Sequence, residues 1–318
     1  MNIAFRVDIS ESIGTGHYMR MSTLADAFRE LGCNCVIFTG QDEPINYVNF
    51  DVVILDTYEI DDSYISNLRS PNNHVLVCYD DNGLYNYDCD VLINANFHAK
   101  NINFRFSGTS PKLFLGAKYA LLRHEFQELD SAVIKNKATR IFVCFGGADT
   151  RLFTPFVLKS LLTLARNGTI QITVVLGAYT TCDNEVNALA SLSENNAVVF
   201  KNPPNMATIM RSCDIAITAA GSMVYELASI GIPTLLITQA ENQRLIAKYV
   251  HENGLMKWLG DWDSVTSKQL IEEVISLLND ITRRQQESDK LTKTVNKNGA
   301  NQLASAILEV ANETLRKD

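Results

Sequence analysis

This sequence predicts two doubly wound α/β domains in tandem, on three observations. Short runs rich in Val and Ile alternate with stretches of helical apolar spacing along the chain. The alternation breaks once, over residues 101–137, and then restarts. No apolar run approaches the ~20 residues needed to cross a bilayer, so the runs read as core strands. Alternating β and α segments of this kind build a mostly parallel sheet covered on both faces.

The elements follow in order. Residues 2–8 (Asn-Ile-Ala-Phe-Arg-Val-Asp) form the first expected strand, and 17–31 carry apolar residues at helical spacing. Strands follow at 33–39, 51–56, 75–79 and 90–94. The irregular stretch contains Leu113-Phe114-Leu115, Gly116 and a charged segment over 123–137. The connection between domains is expected near 130–138, giving a first domain of 1–137 and a second of 138–318. In the second half, a strand at 140–145 runs into Gly146-Gly147-Ala148-Asp149, and a helix spans 150–166. Strands at 170–176, 197–200, 214–218 and 233–238 follow, with helices at 223–230 and from about 241. Residues 266–317 read as helices only, placed with the second domain. Such sheets bind ligands beyond the carboxyl ends of their strands. Two such ends facing each other form an inter-domain cleft.

Composition narrows the partners. Of 318 residues, 46% are hydrophobic and 20% charged, which supports ordinary globular cores. The net charge of -8 argues against nucleic acid or an anionic membrane, since both recruit basic surface. A small anionic ligand held by backbone N–H groups remains open. The 7 cysteines form no C-x-x-C and lie mostly in or beside apolar runs, so they read as reduced, buried thiols. The N-terminal segment lacks the basic head and apolar stretch of a signal peptide. A cytoplasmic location is therefore expected, with a monomer as the default state.

The chemistry concentrates in a few segments. In Ile13-Gly14-Thr15-Gly16-His17-Tyr18-Met19-Arg20, Gly14 and Gly16 permit a tight turn and close approach to a ligand. His17 opens the next helix, whose dipole favours the neutral imidazole, a candidate general base. The other reading of this residue is a helix-start histidine that meets only solvent. Gly146-Gly147-Ala148-Asp149 repeats the strand–turn–helix pattern. Either Gly147 meets a ligand or Asp149 simply caps the helix. Ala219-Ala220-Gly221-Ser222 leaves room for a phosphate, with the Ser222 hydroxyl as a donor. Glu226, one turn on, suits the two hydroxyls of a ribose, or is an ordinary first-turn glutamate. The Asn242 and Gln243 amides suit a sugar hydroxyl and a phosphate, or cap a helix. Asp80-Asp81-Asn82 and Asn94-Ala95-Asn96 close two strands at the crevice edge, where turn chemistry also places such residues. His74, His98, His124 and His251 show no ligand spacing, so no metal is expected. No P-loop or nucleophile elbow is present, and no cofactor is expected.

Taken together, several of these segments resemble one family. They are Arg6-Val7-Asp8, the Gly14–Arg20 motif, Asp80-Asp81, Tyr119-Ala120-Leu121-Leu122-Arg123-His124-Glu125-Phe126, Phe145-Gly146-Gly147-Ala148-Asp149, Ala220-Gly221-Ser222 with Glu226, Asn242-Gln243 and Gly299-Ala300. In this order, over nearly the whole chain, they are similar to the UDP-2,4-diacetamido-2,4,6-trideoxy-β-L-altropyranose hydrolases of pseudaminic acid biosynthesis. The resemblance implies a GT-B fold of two Rossmann-like domains and a metal-free, inverting hydrolysis that cleaves C–O and releases UDP. It implies that His17 is catalytic, that Gly221, Ser222 and Glu226 bind UDP, and that Asn242 and Gln243 face the diphosphate and sugar. Asp8 is expected to orient His17 or hold the sugar. The chain departs from the family at Met223-Val224-Tyr225, where Thr-Val-Trp is more usual, and at Asn82-Gly83-Leu84. These departures bear on the exact sugar. The alternatives are a GT-B glycosyltransferase with a UDP-sugar donor, a hydrolysing 2-epimerase and a non-catalytic nucleotide-sugar-binding protein. The scarcity of Lys and Arg over 31–100 counts against a transferase serving a lipid acceptor.

Overall fold

The structure is a computed structural model, and it describes residues 1–8, 16–39, 45–57, 61–69 and 74–315. The chain divides into two compact units, Met1–Gln127 with Asn296–Asp318, and Glu128–Val295.

The first unit is built on β1 (Asn2–Val7), β2 (Asn34–Thr39), β3 (Val52–Asp56), β4 (Val75–Tyr79), β6 (Val91–Asn94) and β8 (Lys112–Leu115). They form one parallel sheet in the order β2-β1-β3-β4-β6-β8. The short β5 (Asn86–Tyr87) and β7 (Arg105–Phe106) pair separately. Every residue of β3 and β4 is buried, as a sheet covered on both faces requires of its central strands. Side-chain alternation splits the core into two layers. Ile3, Phe5, Ile54 and Val77 face helix α1 (Gly16–Glu30) through Met21, Leu24 and Phe28. Ala4, Val53, Leu55 and Leu76 pack instead with Tyr47, Tyr87 and Ile65, the last from helix α2 (Asp62–Arg69). A short helix α3 (His124–Gln127) ends the first segment.

The closing helix, α11 (Gly299–Leu315), belongs to this first unit and not to the second, where the sequence placed it. Its Ala300, Leu303, Ala304, Ile307 and Ala311 recur at helical spacing and are buried in the α1 layer. Gly299 is required there, because a Cβ would lie 2.6 Å from the Ala120 carbonyl oxygen.

The second unit carries β9 (Arg140–Cys144), β10 (Gln171–Leu176), β11 (Ala197–Lys201), β12 (Ile215–Thr218), β13 (Thr234–Thr238) and β14 (Lys257–Asp261). All are parallel, in the order β11-β10-β9-β12-β13-β14. Counted from β9 this is 3-2-1-4-5-6, the order of dinucleotide-binding folds, with the switch point between β9 and β12. The accompanying helices are α4 (Phe153–Arg166), α5 (Asp183–Ser191), α6 (Met206–Arg211), α7 (Met223–Ser229), α8 (Arg244–Glu252), α9 (Ser267–Asn279) and α10 (Ile281–Thr294).

Residues 130–137, expected in the first domain, pack on this second unit. The Ala132 amide donates to the Ile230 carbonyl at 2.7 Å, and Lys135 meets Asp214 at 2.7 Å. Arg284, 1% exposed, donates to the carbonyls of Lys135 at 2.8 Å, Asn136 at 3.3 Å and Leu277 at 2.7 Å, and to that of Leu278. Among the described residues no helix is long and apolar enough to cross a membrane.

Candidate functional site

In the first unit, the carboxyl ends of β3 and β4 meet the start of α1. His17 is the second residue of α1 and is 7% exposed. Its Nδ1 lies 2.7 Å from Oδ1 of Asp56, the last residue of β3, which is 1% exposed. Arg20, one turn along the same helix face, clamps that carboxylate. Its Nε donates to Asp56 Oδ2 at 2.6 Å, and its Nη2 donates to Asp56 Oδ1. Its Nη1 donates to Asp81 Oδ2 at 2.7 Å, while its guanidinium lies 4.2 Å over the Tyr79 ring. Asn96 Nδ2 in turn donates to Asp81 Oδ1 at 3.0 Å.

The charges of this cluster assign the histidine tautomer. Burial by itself raises the Asp56 carboxyl, but the Arg20 charge and the hydrogen bonds from Arg20 and His17 outweigh it and hold it below the ordinary value. Burial likewise lowers Arg20, and the Asp56 and Asp81 charges overcome it and raise the guanidinium well above its usual range. Asp56 is therefore a carboxylate and only accepts. Nδ1 is then the donor to Asp56, and in the neutral ring the lone pair lies on Nε2. An imidazole fixed in this way is suited to accept a proton at Nε2.

Asp8, after β1, does not meet His17 Nδ1. Its Oδ2 accepts from the Thr57 hydroxyl at 2.5 Å, and its Oδ1 lies 3.5 Å from Arg6 Nη1. Of the two expected roles of Asp8, orienting His17 thus falls to Asp56. Asp80 caps a turn by accepting from the amides of Asn82 at 3.0 Å and Gly83, and burial raises its carboxyl. Gly16 begins α1, and Gly14 lies outside the described residues.

The second unit holds a pocket of about 230 Å³ at the carboxyl ends of β9, β12 and β13, the switch point of its sheet. Gly146, Gly147, Gly221, Ser222, Gln239 and Gln243 are among its walls. Gly146 adopts φ +83°, a left-handed conformation that glycine takes without cost. Asp149 accepts from the Phe153 amide at 2.9 Å and the Thr154 amide at 2.8 Å, capping α4. It also accepts from Gln239 Nε2 at 2.9 Å, tying the glycine loop to the end of β13. Gln243 Oε1 accepts from the Gln239 amide at 2.8 Å. Of the other expected residues, Ala220 is buried, Glu226 is half-buried on α7 and Asn242 is exposed. None of these three is a wall of the pocket.

Three residues of these sites went unassigned in the sequence. Asp56 reads there as the end of an apolar strand, Arg20 as part of a motif without a role, and Gln239 falls between a strand and the next helix. The i, i+3 spacing of His17 and Arg20 was the available signal for the second. Among the described residues no three His, Cys, Asp or Glu side chains gather as a metal site.

Two six-stranded parallel α/β units give the chain the GT-B fold, and its family and named relatives make it a carbohydrate-processing enzyme. The solved structure of MurG from Acinetobacter baumannii superposes with a TM-score of 0.64 at 14% identity, over 97% of this chain and 99% of that one. The glycosyltransferase of kitacinnamycin does so with a TM-score of 0.66 at 12% identity, over 98% and 99%. Residues 140–305 match the glycosyltransferase family 28 C-terminal domain, and the chain belongs to that family.

Among relatives, an uncharacterized protein of Methanocaldococcus jannaschii is 31% identical over 277 residues, 77% of this chain and 57% of that protein. The chain therefore spans little more than half of that relative. The UDP-2,4-diacetamido-2,4,6-trideoxy-β-L-altropyranose hydrolase of Campylobacter jejuni is 25% identical over 283 residues, 80% of this chain and 97% of that enzyme. A Helicobacter pylori protein named for the same hydrolase and for pseudaminic acid cytidylyltransferase is 21% identical, over 81% of this chain and 48% of its own length.

Proposed function

We propose that this protein hydrolyses UDP-2,4-diacetamido-2,4,6-trideoxy-β-L-altropyranose to UDP and the free 2,4-diacetamido-2,4,6-trideoxy-L-altrose, as a cytoplasmic step of pseudaminic acid biosynthesis. The observation that carries this reading is the His17–Asp56 pair, with 2.7 Å between Nδ1 and a carboxylate oxygen, which places the lone pair of the neutral ring on Nε2. Nε2 takes a proton from a water on the face of the sugar opposite UDP. The water oxygen bonds to C1, the C1–O bond to UDP breaks with inversion, and the electron pair leaves on the β-phosphate oxygen. The new charge on UDP is shared by the oxygens of its terminal phosphate, so no strong general acid is needed.

The pocket of the second unit takes the diphosphate against backbone N–H groups of Gly147, Gly221 and Ser222, which stabilise the charge that grows on departure. Gln243, in the wall of that pocket, takes the diphosphate, while Glu226 and Asn242, outside the wall, take the ribose and the sugar. Asp8, held by Thr57, takes a sugar hydroxyl. The Campylobacter jejuni and Helicobacter pylori relatives named for this hydrolysis support the substrate. Solved structures of the same fold in complex with UDP and with UDP-L-rhamnose support a nucleotide sugar as the ligand.

Membership of a glycosyltransferase family favours a second reading, transfer of the sugar to an acceptor hydroxyl. Incubating the purified chain with the UDP-sugar alone separates the two. UDP and free sugar, seen by ³¹P and ¹H NMR without any acceptor, are the expected products. UDP release only on adding an acceptor would make the protein a transferase. A sugar inverted at C2 would make it an epimerase, and tight UDP binding without turnover a binding protein. His17→Ala is expected to lower kcat by roughly 10²–10⁴, the usual range for a lost general base.

A further inference from the structure

A carboxylate bonded to an imidazole favours the protonated ring, yet only the neutral ring accepts a proton from water. Asp56 therefore orients His17 while working against its use as a base. Arg20 sits where it resolves the conflict. It lies three residues after His17 on α1, and its Nη2 is 3.1 Å from His17 Nδ1. The same group donates to Asp56 Oδ1, the oxygen that also receives the Nδ1 proton. A protonated His17 would thus set two cations side by side on one carboxylate oxygen.

We propose that Arg20 is the positioning residue of this site: it cancels the Asp56 charge at His17, so that Asp56 fixes the tautomer without protonating the ring. The surroundings hold Arg20 to that task. Nη1 is anchored on Asp81 at 2.7 Å, Asn96 braces Asp81 at 3.0 Å, and the Tyr79 ring sets the guanidinium plane from 4.2 Å. A lysine ammonium is a point charge and cannot donate along Nε, Nη1 and Nη2 at once. Among the described residues, the other charged groups near the cluster are Arg6, Asp8 and His98, and Arg6 lies 3.5 Å from Asp8. Asp8, from the end of β1, is bonded to Thr57, and His98, beyond β6, neighbours Asp81. The α11 side packs on α1 through apolar Leu303 and Ile307.

The kinetic consequence rests on the hydrolytic reading above, whereas the titration of His17 does not, and the test uses both. His17 is followed by ¹⁵N NMR in the full chain against pH, beside the pH profile of kcat/KM for UDP release. Removing a cation next to Nδ1 favours the protonated ring. In Arg20→Met the titration midpoint of His17 should therefore rise by at least about one pH unit. The acid limb of kcat/KM should move up by the same amount, with activity recovering at high pH. Arg20→Gln, which keeps a hydrogen-bonding side chain, should show the same rise if the methionine variant does not fold. Arg20→Lys keeps the charge, so its limb should stay in place while kcat falls. An unmoved or lowered His17 midpoint in the folded Arg20→Met or Arg20→Gln protein overturns the proposal. A wild-type chain that releases no UDP defeats the hydrolytic reading instead, and the NMR titration still decides the role of Arg20.

Discussion

Replacing Asp56 with asparagine changes one buried atom and tests how His17 is held. Asp56 Oδ1 receives His17 Nδ1 at 2.7 Å and also Arg20 Nη2, while Oδ2 receives Arg20 Nε at 2.6 Å. An asparagine must turn its NH₂ toward one side. Facing Arg20, it sets donor against donor and loosens the clamp. Facing His17, it makes Nδ1 an acceptor and moves the ring proton to Nε2, the reacting nitrogen. Either way a charge-assisted hydrogen bond of about 1.5–3 kcal/mol is lost, which is roughly 10- to 150-fold in rate. The wrong tautomer raises the loss toward ~10⁴. Asp56→Asn should therefore lower kcat by about 10- to 10⁴-fold, with KM changed by less than about threefold if, as proposed, the second unit holds UDP. A continuous assay of UDP release reads both constants. A folded variant with kcat within threefold of the parent across the pH range would refute the assignment of Asp56 and, with it, of the tautomer.

Three further outcomes are expected. Arg284→Met removes the donor shared by the carbonyls of Lys135, Asn136, Leu277 and Leu278. Orphaned carbonyls cost about 1–3 kcal/mol each, partly offset by no longer burying a charge, so urea unfolding should show a net loss of roughly 2–4 kcal/mol. Gly221→Val places its side chain where nothing lies within 4 Å, in the wall of the pocket. Its unfolding transition should barely move, while calorimetry should show UDP binding weakened at least about tenfold. Asp56 also shapes acid stability. Its folded carboxyl lies below the ordinary value, so its contribution is complete above about pH 4 and is lost as pH falls further, through the folded value. The wild type should lose stability in that range more steeply than Asp56→Asn. Parallel slopes in acid unfolding would contradict the pairing.

Much of the fold was legible because buried parallel strands are continuous apolar runs. Val-Val-Ile-Leu-Asp and Val-Leu-Val-Cys-Tyr leave little choice but a covered central strand. β14 was not legible. It is a half-buried edge strand, Lys-Trp-Leu-Gly-Asp, with neither alternation nor a β-branched run. Nor was the address of the last helix, since its apolar stripe says that it packs but not on which unit. In the candidate sites, His17, Gly147, Gly221, Ser222 and Gln243 stood out because glycine turns and strand ends mark a ligand crevice. Asp56 did not, because a carboxylate ending an apolar run reads as an ordinary strand boundary. Only the pairing of β3 beside β1 brings it to the start of α1. The same dependence on tertiary placement hid Gln239, which meets Asp149 across 90 residues of chain.

Hydrolysis in ¹⁸O-water tests the central claim most directly. The chain is incubated with the UDP-diacetamido sugar and no acceptor, and both products are read by mass spectrometry and NMR. Water activated by His17 Nε2 and attacking carbon predicts one ¹⁸O at C1 of the free sugar, unlabelled UDP, inversion at C1, and loss of the reaction in His17→Ala. Label in UDP, a retained anomer, or full activity in His17→Ala would contradict it.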